Sequence, residues 1–245
     1  MPKYLSGMKL QLPRRFDDIN HGILYEPSPG AKCSKNYWSE YRSKDQTDMG
    51  RALTEYRHSV ILHNTRTLEK GVDIGIGGGA FVEAAGCMGY DICDDAVKWL
   101  KVNDNYWNWK KPVDWATFWD SLEHLTFTEH MLMFPRIRSA IFTSIPIFDT
   151  DKPYPIQKWK HYKPGEHIWY FTLEGFLRYM HWHGFRWILL SAQETILGRR
   201  DILTFGFRRF RPPRLGRFEL DRIRRMCDDP KYVISKLSKL IAESW

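Results

Sequence analysis

An acid and four glycines fall within seven residues at Asp73-Ile74-Gly75-Ile76-Gly77-Gly78-Gly79, after Gly71-Val72 and before Ala80-Phe81. A buried strand that ends on a carboxylate, turns through glycines and opens a helix builds a nucleotide-cofactor loop. Glycine lets the backbone turn tightly and approach a ligand, and the free N–H groups of the helix start point toward it. The spacing fits the loose dinucleotide fingerprint, Gly75-x-Gly77-x-x-Ala80, with Asp91 further on as a ribose ligand. It also fits an acid-first pattern, Asp73-x-Gly75-x-Gly77-x-Gly79. Charge separates the two, because Asp73 would face the pyrophosphate of a dinucleotide, whereas a phosphate-free ligand carrying positive charge suits it. A glycine turn of no function is the remaining reading.

Other side chains have chemistry to offer. His124 and His167 are the candidate bases for removing a proton near neutral pH, His124 first. The plainer reading of His124 is a backbone bond that fixes its loop. Arg57 carries a planar fork that matches a ligand carboxylate, and its plainer reading is a solvated helix residue. His181 and His183 lie two apart on a helix and so point in different directions, and no metal centre is expected. Trp107, Trp109, Trp159, Tyr162 and Trp169 either stack on a planar ligand or pack.

These residues need a frame. Met49, Leu53, Tyr56 and Val60 form one stripe of an amphipathic helix that ends near His63-Asn64, placed to roof a cofactor pocket. Residues 88–91 predict a short second strand ending in Asp91, and Asp94 and Asp95 cap a helix through Leu100. Residues 101–111 allow at most a stunted strand around Tyr106-Trp107. Strands follow over 113–118 and 140–145, the second closed by Pro146, with a helical segment between them that Pro135 interrupts. Residues 146–166, with four prolines, predict a long functional loop. Thr172 opens a helix that stops near Gly184, and residues 185–190 and 201–207 form an antiparallel hairpin joined through Gly198. Residues 1–35 read as a loop-rich arm, and Asp229-Pro230 starts a terminal helix with Val233, Leu237, Leu240 and Ile241 on one face.

Asp73, Gly75, Gly77 and Gly79 resemble the cofactor loop of class I S-adenosylmethionine (SAM)-dependent methyltransferases, and the resemblance extends over roughly residues 70–190. Tyr90-Asp91-Ile92 is similar to the family's second-strand acid, which grips the ribose hydroxyls. Asp120-Ser121-Leu122-Glu123-His124 resembles the Asp-x-x-Glu-His signature of the branch that includes ubiquinone-pathway O-methyltransferases. Residues 141–146 resemble that branch's fifth strand, and residues 167–172 with Gly184-Phe185 its lid, helix and sixth strand. The resemblance implies an α/β Rossmann-like class I methyltransferase sandwich, its mostly parallel sheet ending in an antiparallel hairpin. It implies an enzyme with SAM as cofactor, held by Asp73, Gly75, Gly77, Gly79, Asp91, Ile92 and Asp120 beside Arg57, and with His124 and His167 as catalytic candidates.

The third strand and its adenine loop are compressed, so adenine contacts there are not assigned. There is no Asn/Asp-Pro-Pro-Tyr motif after the fourth strand and no Pro-Cys dipeptide. The expected acceptor is therefore an O- or N-nucleophile of a small molecule or RNA rather than a DNA base. The chain divides into an arm and helical lid (1–66), a SAM-binding domain (67–210) and a basic helical appendage (211–245).

Length and composition suit this frame. The 245 residues, 43% hydrophobic and 27% charged, suffice for one α/β domain with additions. No apolar run is long enough to span a membrane, and Met1-Pro2-Lys3-Tyr4 lacks the layout of a signal peptide. Cys33, Cys87, Cys93 and Cys227 are scattered, which argues against a zinc ribbon and for a reducing, cytoplasmic setting. Residues 199–225 hold ten arginines against Asp201, Glu219 and Asp221 within a net charge of +8. That patch suits nucleic acid, another polyanion or an acidic partner subunit. A non-catalytic SAM- or nucleotide-binding module tethered through this tail is the alternative function.

Overall fold

A computed structural model describes residues 19–27 and 33–209. The first half runs β1 (Ile23–Tyr25), α1 (Tyr37–Asp45), α2 (Asp48–Asn64), β2 (Gly71–Ile74), α3 (Ala80–Ala85), β3 (Met88–Tyr90) and α4 (Asp94–Val102). The second runs β4 (Val113–Trp119), α5 (Phe127–Met133), β5 (Ile137–Pro146), β6 (Trp169–Phe171), α6 (Leu173–Trp182), β7 (Trp187–Ser191), α7 (Gln193–Ile196) and β8 (Ile202–Arg208). Six strands form the central sheet in the order β3-β2-β4-β5-β8-β7. The first three pairings are parallel, whereas β8 runs antiparallel to both β5 and β7.

Alternation along the strands explains the layers. Val72, Ile74, Ala116 and Phe118 face a core completed by Phe134, Phe176 and Tyr179. Trp115, Trp119 and Phe142 face the other way, onto Phe81, Val82, Ala96 and Leu100. With both faces covered, β4 and β5 are buried along almost their whole length, as a central parallel strand requires. Because β2, β3, β4 and β5 run parallel, their carboxyl ends open on one edge of the sheet, where the candidate site lies.

Several expectations shift in detail. Asp94 and Asp95 sit in the first turn of α4 rather than capping it; the cap position is Cys93, which gives no side-chain bond. The stunted third strand is a single parallel bridge between Gly89 and Tyr106, which is why the sheet has six strands. Met49 is 43% exposed, and the buried residues of α2 are Val60 and Ile61. The long loop after β5 carries one 3-10 turn, Ile156–Lys158, and the hairpin encloses α7. Part of the N-terminal arm is structural, because β1 pairs antiparallel with β6. The terminal helix expected from Asp229 lies outside the described residues. Among the described residues no helix is long and apolar enough to cross a membrane.

Candidate functional site

Asp73, next to last in β2, is almost wholly buried and accepts a hydrogen bond from the Thr117 hydroxyl at 2.6 Å. Burial pushes its pKa up to about 7, against the opposing pull of that bond and of Arg57. The chain then turns with Gly75, Gly77 and Gly79 all at positive φ. At Gly75 the constraint is double: φ is +76°, and a Cβ would stand 2.6 Å from Cβ of Ser121, whose hydroxyl donates to the Ile74 carbonyl. Asp91 follows β3 on the same edge. Its Oδ1 accepts the Cys93 N–H at 2.8 Å, whereas its Oδ2 is buried with no partner among the described residues. Burial raises this carboxyl, and backbone N–H groups of Cys93, Ile92, Ile76 and Gly77 oppose the rise. Ile92 beside it is 57% exposed.

α1 lies across the glycine loop. A Cβ on Gly77 would meet the Tyr41 ring at 3.0 Å, and one on Gly78 would meet the Arg42 backbone nitrogen at 2.6 Å. Asp45 Oδ2 accepts the Ala80 N–H at the start of α3, and Arg42 forks onto Glu83 at 3.0 and 3.1 Å. Trp38 packs on Trp99, with the Arg42 guanidinium 5.3 Å from each ring centre. Cys33 and Cys93 form a disulfide. The sequence suggested no pairing, and the bond removes the ground on which scattered cysteines argued for a reducing setting.

Arg57 is neither solvated nor alone. It lies over the Trp119 ring, and its Nε and Nη2 bond both carboxylate oxygens of Glu194 at 2.8 and 3.1 Å. Nη2 also reaches Asp120 at 2.8 Å. Arg199 completes the cluster, forked onto Asp120 at 2.9 Å through each nitrogen and bonded to Glu194. Burial favours the neutral acid at Asp120, but Arg57 and Arg199 outweigh it and hold the carboxyl below its ordinary range. Two guanidinium groups and two carboxylates therefore neutralise one another at the mouth of β4. Glu194 and Arg199, which complete the box, were not foreseen as site residues; they come from the segment between β7 and β8, far from β4 in sequence.

Beyond Asp120 the chain makes a 3-10 turn, Leu122–His124, that places Glu123 inside. Glu123 is 1% exposed and its Oε2 has no partner among the described residues. His124 Nδ1 lies 2.8 Å from the Glu166 carbonyl. A carbonyl only accepts, so Nδ1 carries the hydrogen and Nε2 the lone pair. The His167 ring stands edge-on to His124 with centroids 4.7 Å apart. One ligand atom from each of Glu123, His124 and His167 lies within 4.8 Å of the others. Burial favours the neutral form of all three, with neighbouring Asp120 adding to the rise at Glu123 and His124 adding to the fall at His167. The two histidines, first and second choices for one role in the sequence, thus form one constellation. The backbone bond expected as the plainer role of His124 is present too.

Trp107, Trp159 and Trp169 are buried, with their indole N–H groups on Lys111, Asp201 and Leu125 respectively, so they pack rather than face a ligand. Of the ten arginines in 199–225, Arg199 belongs to the charge cluster and Arg209 donates to the carbonyls of Ile137, His183 and Phe134. Arg200 is exposed. Arg211, Arg214, Arg217, Arg222, Arg224 and Arg225 lie outside the described residues.

No sequence family and no curated protein matches the chain. Solved structures are similar to it in fold. An inferred O-methyltransferase from Nostoc punctiforme PCC 73102 is 12% identical, with a TM-score of 0.50 over 75% of this chain and 63% of that one. A SAM-dependent methyltransferase from Archaeoglobus fulgidus is 14% identical, with a TM-score of 0.46 over 70% and 99%. Magnesium protoporphyrin IX methyltransferase from Synechocystis PCC 6803, crystallised with S-adenosylhomocysteine (SAH), is 14% identical, with a TM-score of 0.46 over 68% and 86%. At such identities the likeness concerns architecture alone. What the topology and the Nostoc structure together establish is an α/β Rossmann-like methyltransferase fold, with a mainly parallel six-stranded sheet that ends in an antiparallel strand pair.

Proposed function

We propose that this chain transfers a methyl group from SAM to an oxygen or nitrogen nucleophile of a small molecule or RNA. The observation that carries the reading is Asp91 Oδ2, a buried carboxylate oxygen without a hydrogen-bond partner among the described residues, beside a loop of positive-φ glycines at the carboxyl edge of the sheet. Two adjacent ribose hydroxyls are donors suited to it. Exposed Ile92 offers an apolar surface to an adenine ring, and the acid at Asp73 suits a cationic amino-acid end better than a pyrophosphate. In the transfer the carbon–sulfur bond of the sulfonium breaks as the bond to the nucleophile forms, so the protein's share is alignment, exclusion of water and uptake of a proton.

On the acceptor side, Glu123, His124 and His167 fit a divalent cation. Glu123 Oε2 is the orphan oxygen, and the bond from His124 Nδ1 to the Glu166 carbonyl is the outer-shell contact that aims a histidine's other nitrogen at a metal. When bound, the cation would polarise an acceptor hydroxyl. These residues would hold the ion, while the Arg57–Glu194–Asp120–Arg199 box fixes the turn that presents them.

Calorimetric titration with SAM and SAH, with NADH as the control, tests the cofactor: saturable binding of the first two and none of the third is expected. Binding of NADH alone would overturn the reading. Transfer of labelled methyl into either an RNA or a small-molecule extract separates an enzyme from a non-catalytic module. Equilibrium dialysis with Mn²⁺ tests the cation site, with about one ion per chain expected in the native protein and at least tenfold weaker binding in Glu123→Gln, since losing even a residue behind a ligand costs roughly 10- to 100-fold. Equal binding by both would remove the metal and leave the cofactor reading intact.

A further inference from the structure

α1 covers the glycine loop without burying any of its own residues. Its inward side chains are only half-buried, Tyr37 and Trp38 packing against the cluster of Ile76, Phe81 and Cys93, and a nine-residue helix is marginal by itself. Its non-covalent hold on the loop adds to that packing the Tyr41 ring against Gly77, the Arg42–Glu83 pair, whose members are 32% and 50% exposed, the Trp38–Trp99 contact, and the bond of Asp45 to the Ala80 N–H. Exposed pairs of this kind contribute little. A covalent attachment is added to these contacts. Cys33 lies four residues before α1, and Cys93 lies two residues after Asp91, to whose carboxylate it donates its N–H. The disulfide therefore ties the entry of the lid to the turn that presents the ribose acid, across 60 residues of sequence.

We propose that Cys33 and Cys93 form a redox site that controls cofactor exchange: oxidised, the pair tethers α1 over the glycine loop, and reduced, it frees the lid. The gating rests on the SAM reading above, whereas the tether itself does not. Reduction by a protein or small-molecule dithiol passes two electrons and two protons to the pair. The sulfur–sulfur bond breaks, two thiols form, and the dithiol closes to its own disulfide. Cys87, the other described cysteine, is buried, and burial holds its thiol protonated, so it does not compete in exchange.

The test compares oxidised protein, protein reduced with dithiothreitol, and Cys33→Ser, with peptide mapping after alkylation to establish the pairing. Two quantities are read: hydrogen exchange of the amides of Tyr37–Asp45 without ligand, and the dissociation rate of SAH by stopped flow. In the reduced and Cys33→Ser proteins the α1 amides should exchange faster while those of β2 and β4 do not, and SAH should leave about tenfold faster or more, as expected when a covalent constraint on a lid is lost. Free Cys33 and Cys93 after oxidation, or unchanged α1 exchange, would overturn the tether. Faster α1 exchange with an unchanged SAH rate would overturn the gating. If SAH binds in no redox state, the cofactor reading fails and the gating with it, while α1 exchange still decides the tether.

Discussion

Replacing Asp91 by Asn keeps the shape of the side chain and its bond to the Cys93 N–H but removes the charge and turns the oxygen that has no partner among the described residues into a neutral amide NH2. A hydrogen bond to a charged acceptor is worth about 1.5–3 kcal/mol and one between neutral groups about 0.5–1.5 kcal/mol, so each ribose hydroxyl loses about 1 kcal/mol. Over two hydroxyls the loss is about 1.5–3 kcal/mol, which weakens SAM binding roughly 10- to 150-fold. The free protein should respond in the opposite sense. Burial raises the Asp91 carboxyl because the charged form is poorly solvated there, and Asn carries no such cost. The melting temperature without ligand should therefore hold or rise. Titration calorimetry with SAM and SAH, paired with thermal unfolding of the unliganded proteins, gives both numbers. An affinity within threefold of the native value would refute the ribose assignment. A large fall in melting temperature accompanying the lost affinity would show that the carboxylate serves the turn instead of the ligand.

Glu194 is fully buried between Arg57 and Arg199, so Glu194→Ala leaves two guanidinium groups sharing Asp120 alone. Breaking a buried pair by removing one partner costs about 3–5 kcal/mol, and retention of Asp120 places this change near the lower end. Thermal unfolding should show a drop of roughly 10 °C for a chain of this size, and a drop under about 2 °C would refute a structural role for the box. Asp73 predicts a pH dependence. Its folded pKa, raised to about 7, exceeds the ordinary value, so the folded chain keeps a proton that the unfolded chain has already released. Its contribution is full below the unfolded pKa near pH 4 and is lost as pH rises through about 7. Relative to Asp73→Asn, the native protein should lose up to about 1.4 kcal/mol per pH unit across that window in urea unfolding. A pH-independent difference between the two would refute it.

The strand, glycine loop and buried acids at the carboxyl edge were legible because their determinants are local. The glycine loop, Asp73 and Asp91 lie within nineteen residues of one another, and the strand–loop–helix–strand order needs nothing distant to define it. Arg57 was legible as a residue and not as a partnership. Its carboxylates, Asp120 and Glu194, stand 63 and 137 positions away, and no spacing rule joins a helix before the sheet to a short helix inside the closing hairpin. Glu123 was visible within its signature but carried no role, because burial decides its chemistry. A glutamate in that turn is either a solvated loop acid or an orphan oxygen, and only the packing above it distinguishes the two.

That packing comes from a segment whose sequence reads as an arm. Glu26 donates its N–H to the Ile168 carbonyl, and Ile168 donates in turn to the Glu123 carbonyl. β1 holds β6 in register immediately after His167, with Tyr25 opposite Trp169. Residues 23–26 therefore brace the strand start that carries one histidine against the turn that carries the glutamate and the other. The division at residue 66 separates pieces that cooperate. β1 from the first piece steadies the start of β6 beside His167, α1 covers the glycine loop, and Arg57 of α2 binds the loop after β4. The part of the molecule with the weakest sequence pattern thus fixes the distance between the two halves of the site. A truncation that removed residues 1–66 as a dispensable arm would take with it the lid, one corner of the charge box and the support of His167.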